Sequence, residues 1–262
     1  MRYLTLATVV GASLLVFGAI KAFSPAVDSL PTQWAIPDFA PNRNTAWALD
    51  SLIDDLLDPP AGPGPVIFDS SYPARLDYRI ADLSNPILQP WARERLRKSN
   101  REVLTGEIPF RGREKCWPVG VPGFIIQPLV EPFYFIQTSK KVTIINPVGP
   151  AIRQVHLNVP HSIDPTPSWY GESIGHYERG DTLVIDTIAI SDKTFIDNYR
   201  TPHTEKLHVI ERLKLVENST AVQILVFVDD PGAFTMPWSA TQRWRKVDRG
   251  PLRESPCRER QQ

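Results

Sequence analysis

The sequence contains three groupings of side chains with chemical potential. Gly171-Glu172-Ser173-Ile174-Gly175 matches the G-x-S-x-G pattern of a hydrolase nucleophile elbow, and Asp186 or Asp197 followed by His203 completes the Ser–Asp–His order. That elbow works where a strand turns sharply into a helix and lifts the serine hydroxyl clear of the sheet. Here Ile174 to Leu183 reads as a hairpin, so a tight turn or a close strand approach explains the glycines better.

The five histidines, His156, His161, His176, His203 and His208, form the second grouping. Their clustering in one stretch suits an acid–base or metal site. No two are spaced i, i+2, so no strand presents two imidazoles on one face. A zinc site would have to gather its ligands from separate elements, and loop and surface positions explain the histidines more simply.

Strand alternation supplies the third grouping. In Leu207 to Leu215 one face carries Leu207, Val209, Glu211, Leu213 and Leu215, with Glu211 the polar exception. In Thr182 to Ile190 one face carries Val184, Asp186, Ile188 and Ile190, again with one acid. A carboxylate inside a barrel must be paired or neutral, because an unpaired buried charge is too costly. Arg153 is the expected partner, in a structural ion pair or as part of a polar site. The acid–base candidates are therefore Asp186, Glu211, His203 and His161. The ligand-contact candidates are Arg153, Trp169, Tyr170, Glu172 and His176.

These residues need a scaffold, and from about Pro118 onward the pattern is strands. Pro132–Thr138 with Val142–Asn146, Ser173–Glu178 with Thr182–Ile190, and Lys206–Val216 with Ala221–Asp229 read as hairpins. Ile152–Val159 and Met236–Val247 add further strands. Short turns between them predict a mainly β fold: an antiparallel up-and-down barrel of about eight strands, lipocalin- or calycin-like, with a two-sheet sandwich as the alternative. Such a barrel holds packed side chains or one small ligand. Arg179-Gly180-Asp181 and Asn218-Ser219-Thr220 spell an adhesion tripeptide and a glycosylation sequon, and hairpin turns account for both.

Ahead of the barrel, residues 83–262 begin with a predicted helix over 86–104, capped by Asn85 with Pro86 in its first turn. Residues 23–82 read as a Pro-rich extension, with a short helix over Thr45–Leu57 and a semi-rigid linker at Pro59–Pro65. Residues 1–22 begin with Arg2 and an uncharged run from Tyr3 to Ile20, which reads as a signal peptide or an N-terminal anchor. Ile20 makes a cleavage site near Ala22 a poor one, and no cysteine follows as a lipoprotein would need. The expected location is periplasmic or secreted, with residues 3–20 as the only membrane contact. In that oxidising setting Cys116 and Cys257 are candidates for a disulfide.

The net charge of zero argues against a nucleic-acid partner, which needs a basic face. No cofactor motif is present. Several blocks together, Cys116-Trp117-Pro118-Val119-Gly120-Val121-Pro122-Gly123, Val159-Pro160-His161-Ser162, the run Pro167 to Glu178, Gly180 to Thr187, Arg200 to Glu205, Glu211-Arg212, Asp229 to Thr235 and the closing Cys257, resemble a family of uncharacterised exported bacterial proteins. The resemblance covers about Leu83 to Glu259, implies export and a β fold, strengthens the expected disulfide, and names no reaction. The chain departs from it by one extra residue in the turn at Glu178-Arg179-Gly180-Asp181. The leading expectation is a barrel that binds a small, partly apolar molecule. The alternatives are an enzyme (a lyase, isomerase or hydrolase using the carboxylates and histidines) and an envelope structural or interaction module.

Overall fold

The computed structural model describes residues 36–50, 62–72, 79–106, 117–126, 132–147 and 151–253, all within one compact unit. Residues 1–22, residues 51–57 of the expected Thr45–Leu57 helix, the first three residues of the Pro59–Pro65 run, and both Cys116 and Cys257 lie outside the described residues. Among the described residues no helix is long and apolar enough to cross a membrane.

Nine strands form one sheet: β1 Thr45–Leu49, β2 Tyr134–Gln137, β3 Lys141–Asn146, β4 Ala151–Leu157, β5 Glu172–Glu178, β6 Thr182–Ile188, β7 His208–Val216, β8 Ala221–Asp229 and β9 Trp238–Asp248. Their order is β1-β9-β8-β7-β6-β5-β4-β3-β2. The two edges meet where Trp47 bridges Phe133, with amide-to-carbonyl bonds of 2.8 and 2.7 Å in the two directions. That one bridge brings the two edge strands together and makes the sheet a near-closed barrel.

The alternation that predicts strands also builds the wall. On β4 burial alternates strictly, with Ala151, Arg153, Val155 and Leu157 inside. β8 buries Val222, Ile224, Val226 and Val228, and β9 buries Trp238, Ala240, Gln242 and Trp244. The β5–β6 connection is the three residues 179–181; Arg179 and Gly180 both have positive φ, 45° and 74°, and the Asp181 amide closes the turn on the Glu178 carbonyl at 3.3 Å.

Three expectations change. Thr45–Leu49, read as the start of a helix, is strand β1; it pairs antiparallel with β9 and carries Trp47 to its bridge with Phe133. The barrel is not purely up-and-down, since β4 and β5 pair in parallel. Parallel neighbours need a crossover, and residues 158–171 make it over the outer wall. The helix, α1, spans Pro90–Leu104, with Pro90 at its start and Gln89 as its cap. Asn85 instead accepts from the Ile87 amide at 3.1 Å and donates to the Gly64 and Pro65 carbonyls. Residues 85–88 form a turn, with the Leu88 amide donating to the Asn85 carbonyl at 3.5 Å, and Leu88 bridges Phe234, so the helix begins only at Pro90. α1 buries Ala92, Leu96, Asn100 and Val103 along one stripe.

The strand directions separate two ends. One end carries short turns at 138–140, 179–181 and 217–220. The other carries the connections 189–207 and 230–237 and the start of β5. The polar residues of the interior lie in the half nearer these long connections.

Candidate functional site

Four neighbouring strands each place one polar side chain inside the barrel: Arg153 on β4, Ser173 on β5, Thr187 on β6 and Glu211 on β7. Arg153 and Glu211 are 1% and 0% exposed, and Arg153 Nη2 forms an ion pair with Glu211 Oε2. Arg153 Nε donates to Ser173 Oγ at 3.2 Å, and Nη2 also donates to Thr187 Oγ1 at 2.8 Å. The two hydroxyls are 2.9 Å apart. Ser173 faces Thr187 in the β5–β6 register, and Glu211 faces Ile185, two residues from Thr187 along β6. The expected pairing of Arg153 with a barrel carboxylate is therefore present, and Glu211 is that carboxylate.

The network is incomplete. Arg153 Nη1, Glu211 Oε1 and the Tyr170 hydroxyl are buried without a hydrogen-bond partner. A buried polar atom left without any partner costs about 1–3 kcal/mol, so these three atoms are positions that a water molecule or a ligand would satisfy. Tyr170 lies two residues before the start of β5, at the end with the long connections. Burial pushes its pKa well above the ordinary phenol value, and the nearby Arg153 charge opposes that rise.

Tyr170 also joins a buried aromatic cluster. Its ring lies 5.5 Å from Phe124, edge to face. Phe124 is 5.3 Å from Phe133, which stacks on Trp244 at 4.3 Å. Phe135 and Phe39 extend the cluster, stacked at 4.9 Å. Phe124 is held by the 3-10 turn Gly123–Ile126, whose Ile125 carbonyl accepts from Trp244 Nε1 at 3.1 Å. The interior thus combines an aromatic wall with a polar rung.

The remaining predicted residues do not converge there. Asp186 sits on the outer face of β6, contrary to the expectation that its face is interior; Leu183, Ile185 and Thr187 are the buried inner set. β6 misleads because both its faces are apolar. Outside, Asp186 Oδ1 is 3.1 Å from His161 Nε2 and 2.8 Å from His208 Nε2, while His161 Nδ1 is 2.9 Å from Glu172 Oε1. Glu172 also accepts from the amide and hydroxyl of Ser162, at 2.8 and 2.5 Å. These bonds hold the Glu172 carboxyl below the usual carboxylate range, Ser162 contributing most and His161 less. The cluster fastens the crossover to the barrel wall. Among the described residues no group of three or more His, Cys, Asp or Glu is arranged to hold a metal ion.

His203 occupies a third place, the 189–207 connection. Its Nδ1 donates to the Thr204 carbonyl at 2.9 Å and its Nε2 meets Thr194 Oγ1 at 2.8 Å. Burial holds its pKa below the ordinary histidine value. Asp197 accepts from the Tyr199 and Thr201 amides and serves as a loop staple. His176 is exposed beside Glu178 at 3.5 Å, and Trp169 packs on Trp117 at 5.4 Å.

The nucleophile-elbow match dissolves in the same way. Ser173 Oγ is engaged inside the barrel. Gly171 has φ 65°, and a Cβ there would lie 2.3 Å from the Ile188 carbonyl; one on Gly175 would lie 2.7 Å from the Val184 carbonyl. Both glycines serve close backbone approach. Sequence reasoning missed Thr187, Phe124, Phe133 and Trp244 as site residues. Thr187 was findable as the polar member of the Leu183–Ile185–Thr187 alternation, whereas the three aromatics carry no local signal beyond being apolar.

In comparisons with known proteins, no family model, no curated protein and no solved structure matched the chain.

Proposed function

We propose that this is an exported, lipocalin-like carrier whose barrel binds a small, partly apolar molecule between the aromatic cluster and the Arg153–Glu211 rung. The observation that carries this reading is the set of buried, unpartnered polar atoms on Arg153, Glu211 and Tyr170 beside stacked aromatic rings. Ligand sites commonly have that composition: an apolar lining with a few convergent polar groups that set orientation. Export rests on the charged start and uncharged run of residues 1–22. The acid–base residues expected from the sequence are divided among the interior, the outer wall and a loop corner, so they do not supply one catalytic constellation.

Native mass spectrometry of the full chain expressed with its leader tests the reading. A discrete small-molecule adduct is expected on the wild type, weakened in Tyr170→Phe. An adduct-free wild type that also fails to retain any added aromatic compound counts against it.

A further inference from the structure

Resting on the carrier reading, we infer that the bound molecule is electrically neutral and carries a hydroxyl-type group, both acceptor and donor, at the end that meets Arg153. Carboxylates, phosphates and ammonium compounds are excluded by the same features.

Charge balance is the first argument. Arg153 and Glu211 are both buried and neutralise one another, and the other two members of the rung, Ser173 and Thr187, are uncharged. A ligand charge brought to this place would lose its hydration and find its would-be counter-ion already paired. An uncompensated buried charge is the expensive case.

The second argument is the sense of the vacant hydrogen-bonding positions. Arg153 Nη1 only donates, and the Tyr170 hydroxyl is free to donate. Glu211 Oε1, in an ionised carboxylate, only accepts. One occupant satisfies both senses if it accepts from Arg153 or Tyr170 and donates to Glu211. An alcohol or phenol does this with a single oxygen; a ketone or ether has no proton to give Glu211. The aromatic cluster that begins at Phe124, beside Tyr170, suits a flat apolar body on the other side of that oxygen. A water molecule has the same donor and acceptor pattern, so the test must separate a ligand from hydration.

Four probes of one shape do so by equilibrium dialysis at pH 7 against the full chain: 2-naphthol, naphthalene, 2-naphthoate and 2-naphthylmethylammonium. The expected result is that 2-naphthol binds at least tenfold tighter than each of the others. Tyr170→Phe then weakens 2-naphthol several-fold and leaves naphthalene unchanged. The double variant Arg153→Met/Glu211→Leu, which strands neither charge, abolishes the 2-naphthol advantage; circular dichroism checks that both variants fold. Tightest binding by 2-naphthoate or the ammonium probe overturns the inference. Equal binding of 2-naphthol and naphthalene also overturns it, because the polar atoms are then hydrated and unread, while the carrier reading survives. Retention of none of the four removes the carrier reading together with the inference.

Discussion

Arg153 on β4 reaches Glu211 on β7 across two intervening strands, and each of those strands places a hydroxyl, Ser173 and Thr187, against the same guanidinium. The ion pair thus spans a rung of four adjacent strands, β4 to β7. Its stability consequences are asymmetric. Arg153→Met leaves Glu211 ionisable, buried and alone, and is expected to lose about 3–5 kcal/mol. Arg153→Met/Glu211→Leu is expected to recover most of that loss, as read from urea unfolding of both proteins.

Gly171 and Gly106 share positive φ, at 65° and 80°, but only Gly171 is crowded. Ala at 106 meets nothing within 4 Å and is expected to lose only the left-handed conformational term, about 1–2 kcal/mol. Ala at 171 adds the clash with the Ile188 carbonyl, an overpacking term of about 1–3 kcal/mol more. Thermal unfolding of the two variants separates the contributions.

Acid should loosen the crossover through Glu172. Its folded pKa lies below its unfolded one because Ser162 and then His161 favour the carboxylate. The stability it contributes is complete above the unfolded value, about 4.3, and is lost as pH falls through the folded value. Urea midpoints measured from pH 7 down to pH 3 should fall more steeply for the wild type than for Glu172→Gln, whose side chain does not titrate.

His203 gives a second acid signal in a higher window. Burial depresses its folded pKa, so on acidification the unfolded chain takes up the proton first. Stability therefore declines as pH drops below about 6.5, the ordinary histidine value, towards the folded pKa. In NMR titration its ring resonances should move at a lower pH than that reference.

Asp230, buried in the 230–237 connection, should be a highly sensitive loop position. It is 0% exposed and accepts from the Thr204 amide and hydroxyl and from the Gly232 amide, at 2.6, 2.7 and 2.9 Å. Asp230→Ala removes one acceptor set and orphans three donors, so a loss of about 3 kcal/mol or more is expected in denaturant unfolding. The Arg200–Glu205 and Asp229–Thr235 blocks, separate in the sequence, turn out to be the two halves of this joint.

The sequence by itself determined the local pairs. The β2–β3, β5–β6 and β7–β8 hairpins follow from alternation plus turn residues, because both signals act over a few neighbouring positions. Glu211 was legible too, as one acid on an otherwise apolar strand face, and Arg153 was legible as its partner. Tertiary structure decided the rest. Thr45–Leu49 is too short for its apolar spacing to distinguish helix from strand, and only the open edge of β9 selects the strand. Asp186 faces outward because β6 is apolar on both sides, so its parity is set by its neighbours β5 and β7. The parallel β4–β5 pair depends on the course of a fourteen-residue crossover, 158–171, which no local pattern encodes. The aromatic cluster and the unpartnered atoms beside it arise from strands distant in sequence, and so become visible only when the barrel closes.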